Sequence, residues 1–283
     1  MRRLSIAVAA VVALVLGATG VQAITWGQPD GAGHPHVVTL LFIQDGVGYY
    51  SCSGTLLSPT LVLTAGHCTE GAQGVPNEET WVSNHPDPIA DYAGGGISEY
   101  LLNSAHWVQG QAIPHPNYDN FSGFPDTFDI GLVDLSAPID TGGIYGQLPE
   151  LGFLDALTTA KGAPTQRQVR TVGYGQQGTI PAFYQNDYVR YVGTQTILGV
   201  NRSAYQGGQS VQLSNNPGKG TGSGGACFGD SGGPAFWIDR ATRQETTTVV
   251  AVTSYGITGQ CAGMDFSFRT DIVAAQSFVN SYL

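Results

Sequence analysis

Residues 227–238 read Cys227-Phe228-Gly229-Asp230-Ser231-Gly232-Gly233-Pro234-Ala235-Phe236-Trp237-Ile238, a glycine-rich turn that runs into an apolar strand. Its glycines reach backbone conformations closed to other residues and let N–H groups approach a reacting atom closely. A nucleophilic serine needs a base to take its proton and donors for the developing oxyanion. The N–H groups of Gly229 and Ser231 can supply those donors. Gly-x-Ser-Gly alone describes many plain turns. The full hexapeptide Gly229–Pro234, standing just after Cys227, is more specific.

Outward from this stretch, short apolar runs alternate with Gly, Pro, Asn and Asp clusters. Val37–Ile43, Tyr49–Leu57, Leu61–Thr64, Ile130–Leu135, Val169–Tyr174, Asp187–Ile197, Val211–Leu213, Pro234–Ile238, Thr247–Tyr255 and Phe266–Arg269 read as strands. Thr and Tyr enrichment supports this. One helix is expected, at the C-terminus: Asp271 can cap it, and Ile272, Ala275, Phe278, Val279 and Tyr282 fall on one face. Many short strands with one terminal helix predict an all-β sandwich or barrel architecture. The segment 137–168 is poorer in strand signal and is expected to carry a crossover between two halves.

The chain has 283 residues, of which 42% are hydrophobic, so a sizeable core can be buried. Charged residues make up 11%, less than half the roughly 25% of ordinary soluble domains. The 40 glycines and 15 prolines imply many turns and exclude a coiled coil or helical bundle. A net charge of -10 repels phosphate backbones and argues against nucleic-acid partners.

The N-terminus reads as an export signal. Arg2 and Arg3 precede an apolar run from Leu4 to Leu16, and Val21-Gln22-Ala23 offers small residues at the spacing a signal peptidase reads. The run is shorter than the roughly 20 residues of a membrane span. Residues 1–23 are therefore expected to be removed, leaving 24–283 as a secreted, membrane-free domain. Four cysteines, Cys52, Cys68, Cys227 and Cys261, fit an oxidising compartment, and spacing alone allows three pairings. The absence of any Cys-x-x-Cys pair argues against a zinc site.

Two further residues complete a possible catalytic set. His67, in Thr64-Ala65-Gly66-His67-Cys68, follows a strand and is pinned by a neighbouring cysteine. Asp129 precedes Ile130-Gly131-Leu132-Val133-Asp134-Leu135, where a carboxylate entering a buried strand needs a partner such as an imidazole N–H. Asp126 lies in a loop beside Pro125, and Asp134 alternates to the other strand face.

These three segments, in the order His, Asp, Ser, make the chain resemble the chymotrypsin/trypsin-like serine proteases. Cys52-Ser53-Gly54-Thr55-Leu56-Leu57, Ile113-Pro114-His115-Pro116-Asn117-Tyr118, Val172-Gly173-Tyr174-Gly175 and Ser254-Tyr255-Gly256 extend the likeness across the chain from Ile24 to the C-terminal helix. There are two departures. Gly66 stands where the family usually has Ala, and the stretch between His67 and Asp129 is longer.

The resemblance implies two packed six-stranded antiparallel β-barrels and a monomeric secreted endopeptidase that acts on proteins or peptides. Protein inhibitors are possible partners, and no cofactor or metal is expected. Ser231 would be the nucleophile, His67 the base, Asp129 its orienting partner, and Gly229 and Ser231 the oxyanion donors. Disulfides would join Cys52 to Cys68 and Cys227 to Cys261. Asp230 would pair with the ammonium of a mature N-terminus at Ile24, which follows Ala23 directly. Gly225, Ala226, Ser254 and Gly256 would form a pocket without charge, favouring an apolar side chain before the scissile bond. Asp265, on the opposite wall, would instead favour Arg or Lys.

The remaining histidines, His34, His36, His85, His106 and His115, read as structural. Glu78, Glu79, Asp87 and Asp91 lack calcium-loop spacing. Asn120-Phe121-Ser122 and Asn201-Arg202-Ser203 are glycosylation sequons. A catalytically silent homologue that binds peptides in the same groove is the alternative function, and ester hydrolysis a third reading.

Overall fold

The computed structural model describes residues 24–44, 47–71, 77–157, 166–180, 183–200, 207–218 and 220–283. The expected export segment 1–23 and the sequon at Asn201 lie outside the described residues.

β1 (Gln28–Pro29) leads into six strands that close a first barrel: β2 (Val37–Gln44), β3 (Val47–Leu56), β4 (Leu61–Thr64), β5 (Glu79–Ser83), β6 (Val108–Pro114) and β7 (Gly131–Leu135). They pair in the order β2-β3-β4-β7-β6-β5. The chain then forms β8 (Gln168–Gly173), an antiparallel pair β9 (Gly178–Ile180) and β10 (Phe183–Gln185), then β11 (Tyr191–Val200) and β12 (Ser210–Ser214). β13 (Pro234–Ile238), β14 (Glu245–Gly256) and β15 (Met264–Arg269) follow. A second ring runs β8-β11-β12-β15-β14-β13 and closes because β8 pairs with both β11 and β13. The expected pair of six-stranded antiparallel barrels is thus the observed fold, with the crossover between Leu135 and Gln168.

Local sequence explains much of this. In β2, Val38, Leu40 and Phe42 fill the first barrel, while Val37 packs towards the second. Burial on both faces gives a continuous apolar run rather than alternation. The second barrel is filled by Val169, Ile197, Val211, Leu213, Trp237 and Val250. A third cluster joins the two barrels, with Leu63 and Leu132 from one meeting Val172, Phe236 and Phe268 from the other.

β5 and β6 are strands the periodicity does not reveal. β6 is half polar, and its place comes from pairing with β5 and β7 rather than from composition. Three short helices are described: α1 (Gly66–Thr69), α2 (Ile97–Asn103) and α3 (Val273–Val279). α1 was not expected, nor was α2. The latter sits in an excursion between β5 and β6, where Leu101 and Trp107 are buried with Trp81 and Ile43.

The C-terminal helix is present but shorter, and two expectations about it are corrected. Ile272 takes the N-cap position with no side-chain cap. The Asp271 carboxylate instead accepts from Arg269 Nε and Nη2, both at 2.8 Å, and from Leu154 N at 2.7 Å. A buried guanidinium outcompetes the exposed helix N–H groups for that charge. Ala275, Phe278 and Val279 face the core, but Tyr282 is 48% exposed because the helix has ended before it.

Candidate active site

β4 ends at Thr64, and the chain turns at once into α1, which carries His67. Asp129 sits two residues before β7, the strand beside β4, so the β4–β7 ladder brings the two together. His67 Nδ1 lies 2.9 Å from Asp129 Oδ2 and 3.1 Å from Oδ1, and the His67 backbone N–H donates to Oδ1 at 2.8 Å. The Ser254 hydroxyl donates to Oδ2 as well. Asp129 is fully buried, whereas Asp126 and Asp134 are exposed.

Burial alone would raise the Asp129 pKa, but the His67 charge and these hydrogen bonds hold it below the ordinary carboxylate value. Burial would lower the His67 pKa, yet the Asp129 charge and hydrogen bond raise it. With Nδ1–H donated to Asp129, Nε2 is left free to act as a base.

Space is tight at Gly66. A Cβ there would lie 3.0 Å from the Tyr118 ring and 3.2 Å from Asp129 Oδ1.

Ser231 and His67 line one cleft of about 760 Å³. The Ser231 carbonyl is fixed by Ser53 N–H at 2.8 Å, which ties the loop to β3. No hydrogen bond joins the Ser231 hydroxyl to His67 among the described residues. Such contacts are often long in unliganded enzymes and tighten with substrate.

Gly229 takes φ +93°, and a Cβ there would lie 2.9 Å from Gly175 Cα. Neither Gly229 N–H nor Ser231 N–H donates to a protein acceptor among the described residues. Disulfides join Cys52 to Cys68, beside His67, and Cys227 to Cys261, beside Ser231.

The structure does not join the two members of the expected activation pair. Ile24 is fully buried against Tyr191, and its nitrogen is in peptide linkage to Ala23. Asp230 is fully buried and accepts from Gly175 N–H at 2.8 Å and Cys227 N–H at 2.9 Å, with no cationic partner among the described residues. Burial pushes its pKa up to about 7, against the pull of those N–H groups.

The same cleft is also lined by Asn215, Ala226, Ser254, Gly256 and Asp265. A Cβ on Gly256 would meet nothing closer than 3.8 Å. Gly225 does not line the cleft: a Cβ on it would lie 1.8 Å from Asn215 Oδ1, so the Asn215 carboxamide fills that direction.

Asp265 Oδ2 accepts from Gln195 Nε2 at 2.9 Å and Ala226 N–H at 3.3 Å, while Oδ1 is buried without a partner among the described residues. Burial pushes the Asp265 pKa up to about 7. The roles of Asn215 and Gln195 have no local sequence signature. The Ser254 contact with Asp129 was equally hidden, although Ser254-Tyr255-Gly256 stood out as a motif.

A family model described as Trypsin matches residues 24–279. Serine protease 1 of Drosophila melanogaster is 28% identical over 243 residues, which are 84% of this chain and 77% of that protein. Brachyurin of Leptuca pugilator is 27% identical over 235 residues, 80% of this chain and 83% of that protein. The solved structure of HL collagenase has a TM-score of 0.63 at 16% identity and covers 92% of this chain and 98% of its own. At that identity the likeness supports the fold alone.

Proposed function

The chain belongs to the trypsin family of serine proteases, and from that premise we propose that it is an active, secreted endopeptidase using Ser231, His67 and Asp129. The observation that carries the reading is the His67 imidazole, held 2.9 Å from a buried carboxylate and lining the same cleft as Ser231. In the reaction His67 Nε2 takes the Ser231 proton as Oγ attacks the peptide carbonyl. The oxyanion accepts from Gly229 and Ser231 N–H, and His67 then protonates the leaving amine. Water, deprotonated by His67, attacks the acyl-enzyme and frees Ser231. Asp129 holds the tautomer and stabilises the imidazolium.

Activation follows from removal of residues 1–23. The new Ile24 ammonium would pair with Asp230, whose buried carboxyl has N–H donors but no cation among the described residues. Ile24 holds φ +47°, which is strained for a β-branched residue. Cutting the bond before it releases that constraint. The mature protein acts outside the cell, as a monomer, on protein or peptide substrates, and proteins that fill the same cleft would inhibit it.

For the residue before the scissile bond the pocket favours apolar or aromatic side chains. Ala226, Ser254, Gly256 and the Asn215 carboxamide meet the substrate first, while Asp265 is buried with its Oδ2 held by Gln195 and Ala226 N–H. Cleavage-site profiling of wild type against Asp265→Ala tests this. The same apolar preference is expected in both. A strong Arg or Lys preference that vanishes in Asp265→Ala would show that a substrate cation reaches Oδ1.

Incubation of secreted protein with a fluorophosphonate separates enzyme from silent binder. The chain starting at Ile24 is expected to take one label, on Ser231, and Ser231→Ala none. A chain correctly processed to Ile24 that takes no label would favour the binding role.

A further inference from the structure

The excursion between β5 and β6 does not close onto β2. It leaves a groove of about 510 Å³, with Ile89, Tyr92, Ile97 and Trp107 on one side and Leu41 and Thr39 of β2 on the other. That volume lies within the roughly 300–1,000 Å³ of ligand pockets. No charged side chain lines it among the described residues. The excursion holds its own shape: Trp107 Nε1 donates to Pro88 O at 3.1 Å and the Tyr100 hydroxyl to the same carbonyl at 2.9 Å. Leu41, Ser51 and Tyr188 line both this groove and the cleft of Ser231, so the two are continuous.

The path between them has a direction. The pocket for the residue before the scissile bond is built by the second barrel, through Ala226, Ser254 and Gly256. The groove is built largely by the first barrel, with Ser231 between. Ser53 N–H bonds the Ser231 carbonyl, Ser51 lies two residues back along β3, and Leu41 faces Ser51 across the β2–β3 ladder. Two strand residues span about 7 Å and the next strand lies about 4.8 Å away, a reach of about three extended substrate residues.

We propose that this groove binds the leaving side of the substrate and takes a bulky apolar side chain from about the third residue after the scissile bond. The inference rests on Ser231 being the nucleophile. Its occupant is a peptide, because the groove opens into the cleft where the peptide is cut. Its selectivity is for Leu, Ile, Phe or Tyr, because a charged side chain would lose its water there without finding a partner.

The test uses quenched peptides identical before the scissile bond. On the leaving side one ends after two residues, and others continue to four with Phe, Leu, Gly or Asp at the third and fourth places. Extension with Phe or Leu is expected to raise kcat/KM about tenfold, extension with Gly or Asp to leave it near the short peptide, and Ile97→Asp to remove the Phe gain. Equal gains from Phe and Gly in wild type would overturn the proposal, and that comparison stands if Ile97→Asp does not fold. A Phe gain that survives in folded Ile97→Asp would overturn it too.

If no peptide is cut and no fluorophosphonate is taken up, the catalytic reading fails, and the groove is tested by itself. Tryptophan fluorescence is then titrated with the free leaving-side tetrapeptides. Saturable binding of the Phe peptide over the Gly peptide would support the groove, and no difference would overturn it.

Discussion

His67 can accept a proton only while its imidazole is neutral. Its burial favours the neutral ring, but the adjacent Asp129 charge and hydrogen bond outweigh this and raise the pKa above 6.5. The acid limb of kcat/KM is therefore expected to have its midpoint above pH 6.5, with activity rising as pH increases through it. A profile on a short peptide amide checks this, and a midpoint at or below 6.5 would contradict the coupling. Asp129 was legible because a carboxylate ahead of Ile130-Gly131-Leu132-Val133 must be buried and so must find a partner. The exposed Asp126 and Asp134 meet no such demand. Ser254 and Asn215 were not legible in these roles. A serine 125 residues from Asp129 and an asparagine filling the space beside Gly225 act through tertiary proximity, which leaves no periodic mark.

Strands that bury one or both faces were readable from sequence, as β2, β4 and β13 show. β5 and β6 were not, because their polar residues mask a role fixed by neighbouring strands. Asp271 shows the same limit: the sequence offers a good helix cap, but Arg269 claims the carboxylate. His34 was read as a bland histidine, yet its ring bridges two acids, with Nδ1 2.5 Å from Asp30 Oδ1 and Nε2 2.6 Å from Glu245 Oε1. This contact links the segment before β2 to the start of β14. Burial lowers the His34 pKa, but the two carboxylates together raise it to about 9. The folded value exceeds the unfolded one, near 6.5. The stabilisation is thus fully present below about pH 6.5 and lost as pH rises through 9. Urea midpoints between pH 6 and pH 10 should fall more for wild type than for His34→Gln. Parallel curves would show that the bridge carries no net charge coupling.

At the scale of the molecule, each barrel supplies what the other lacks. The first holds His67 and Asp129, and the second holds Ser231, the Gly229 and Ser231 N–H groups proposed as oxyanion donors, and the residues proposed to receive the substrate side chain. Motif order made this division legible in advance, because three short segments far apart in sequence must meet for any one of them to have chemical meaning. The groove beside α2 was not legible: extra length between His67 and Asp129 announces a loop, but not that the loop stands away from β2 and leaves an apolar channel. The most direct measurement compares hydrolysis of one peptide amide by the chain beginning at Ile24 with that by folded Ser231→Ala and Asp129→Asn. Wild type should turn over, Ser231→Ala should lose on the order of 10⁶ in kcat, and Asp129→Asn on the order of 10⁴. Hydrolysis that survives Ser231→Ala undiminished, or a fully processed wild type that cuts nothing, would contradict the account.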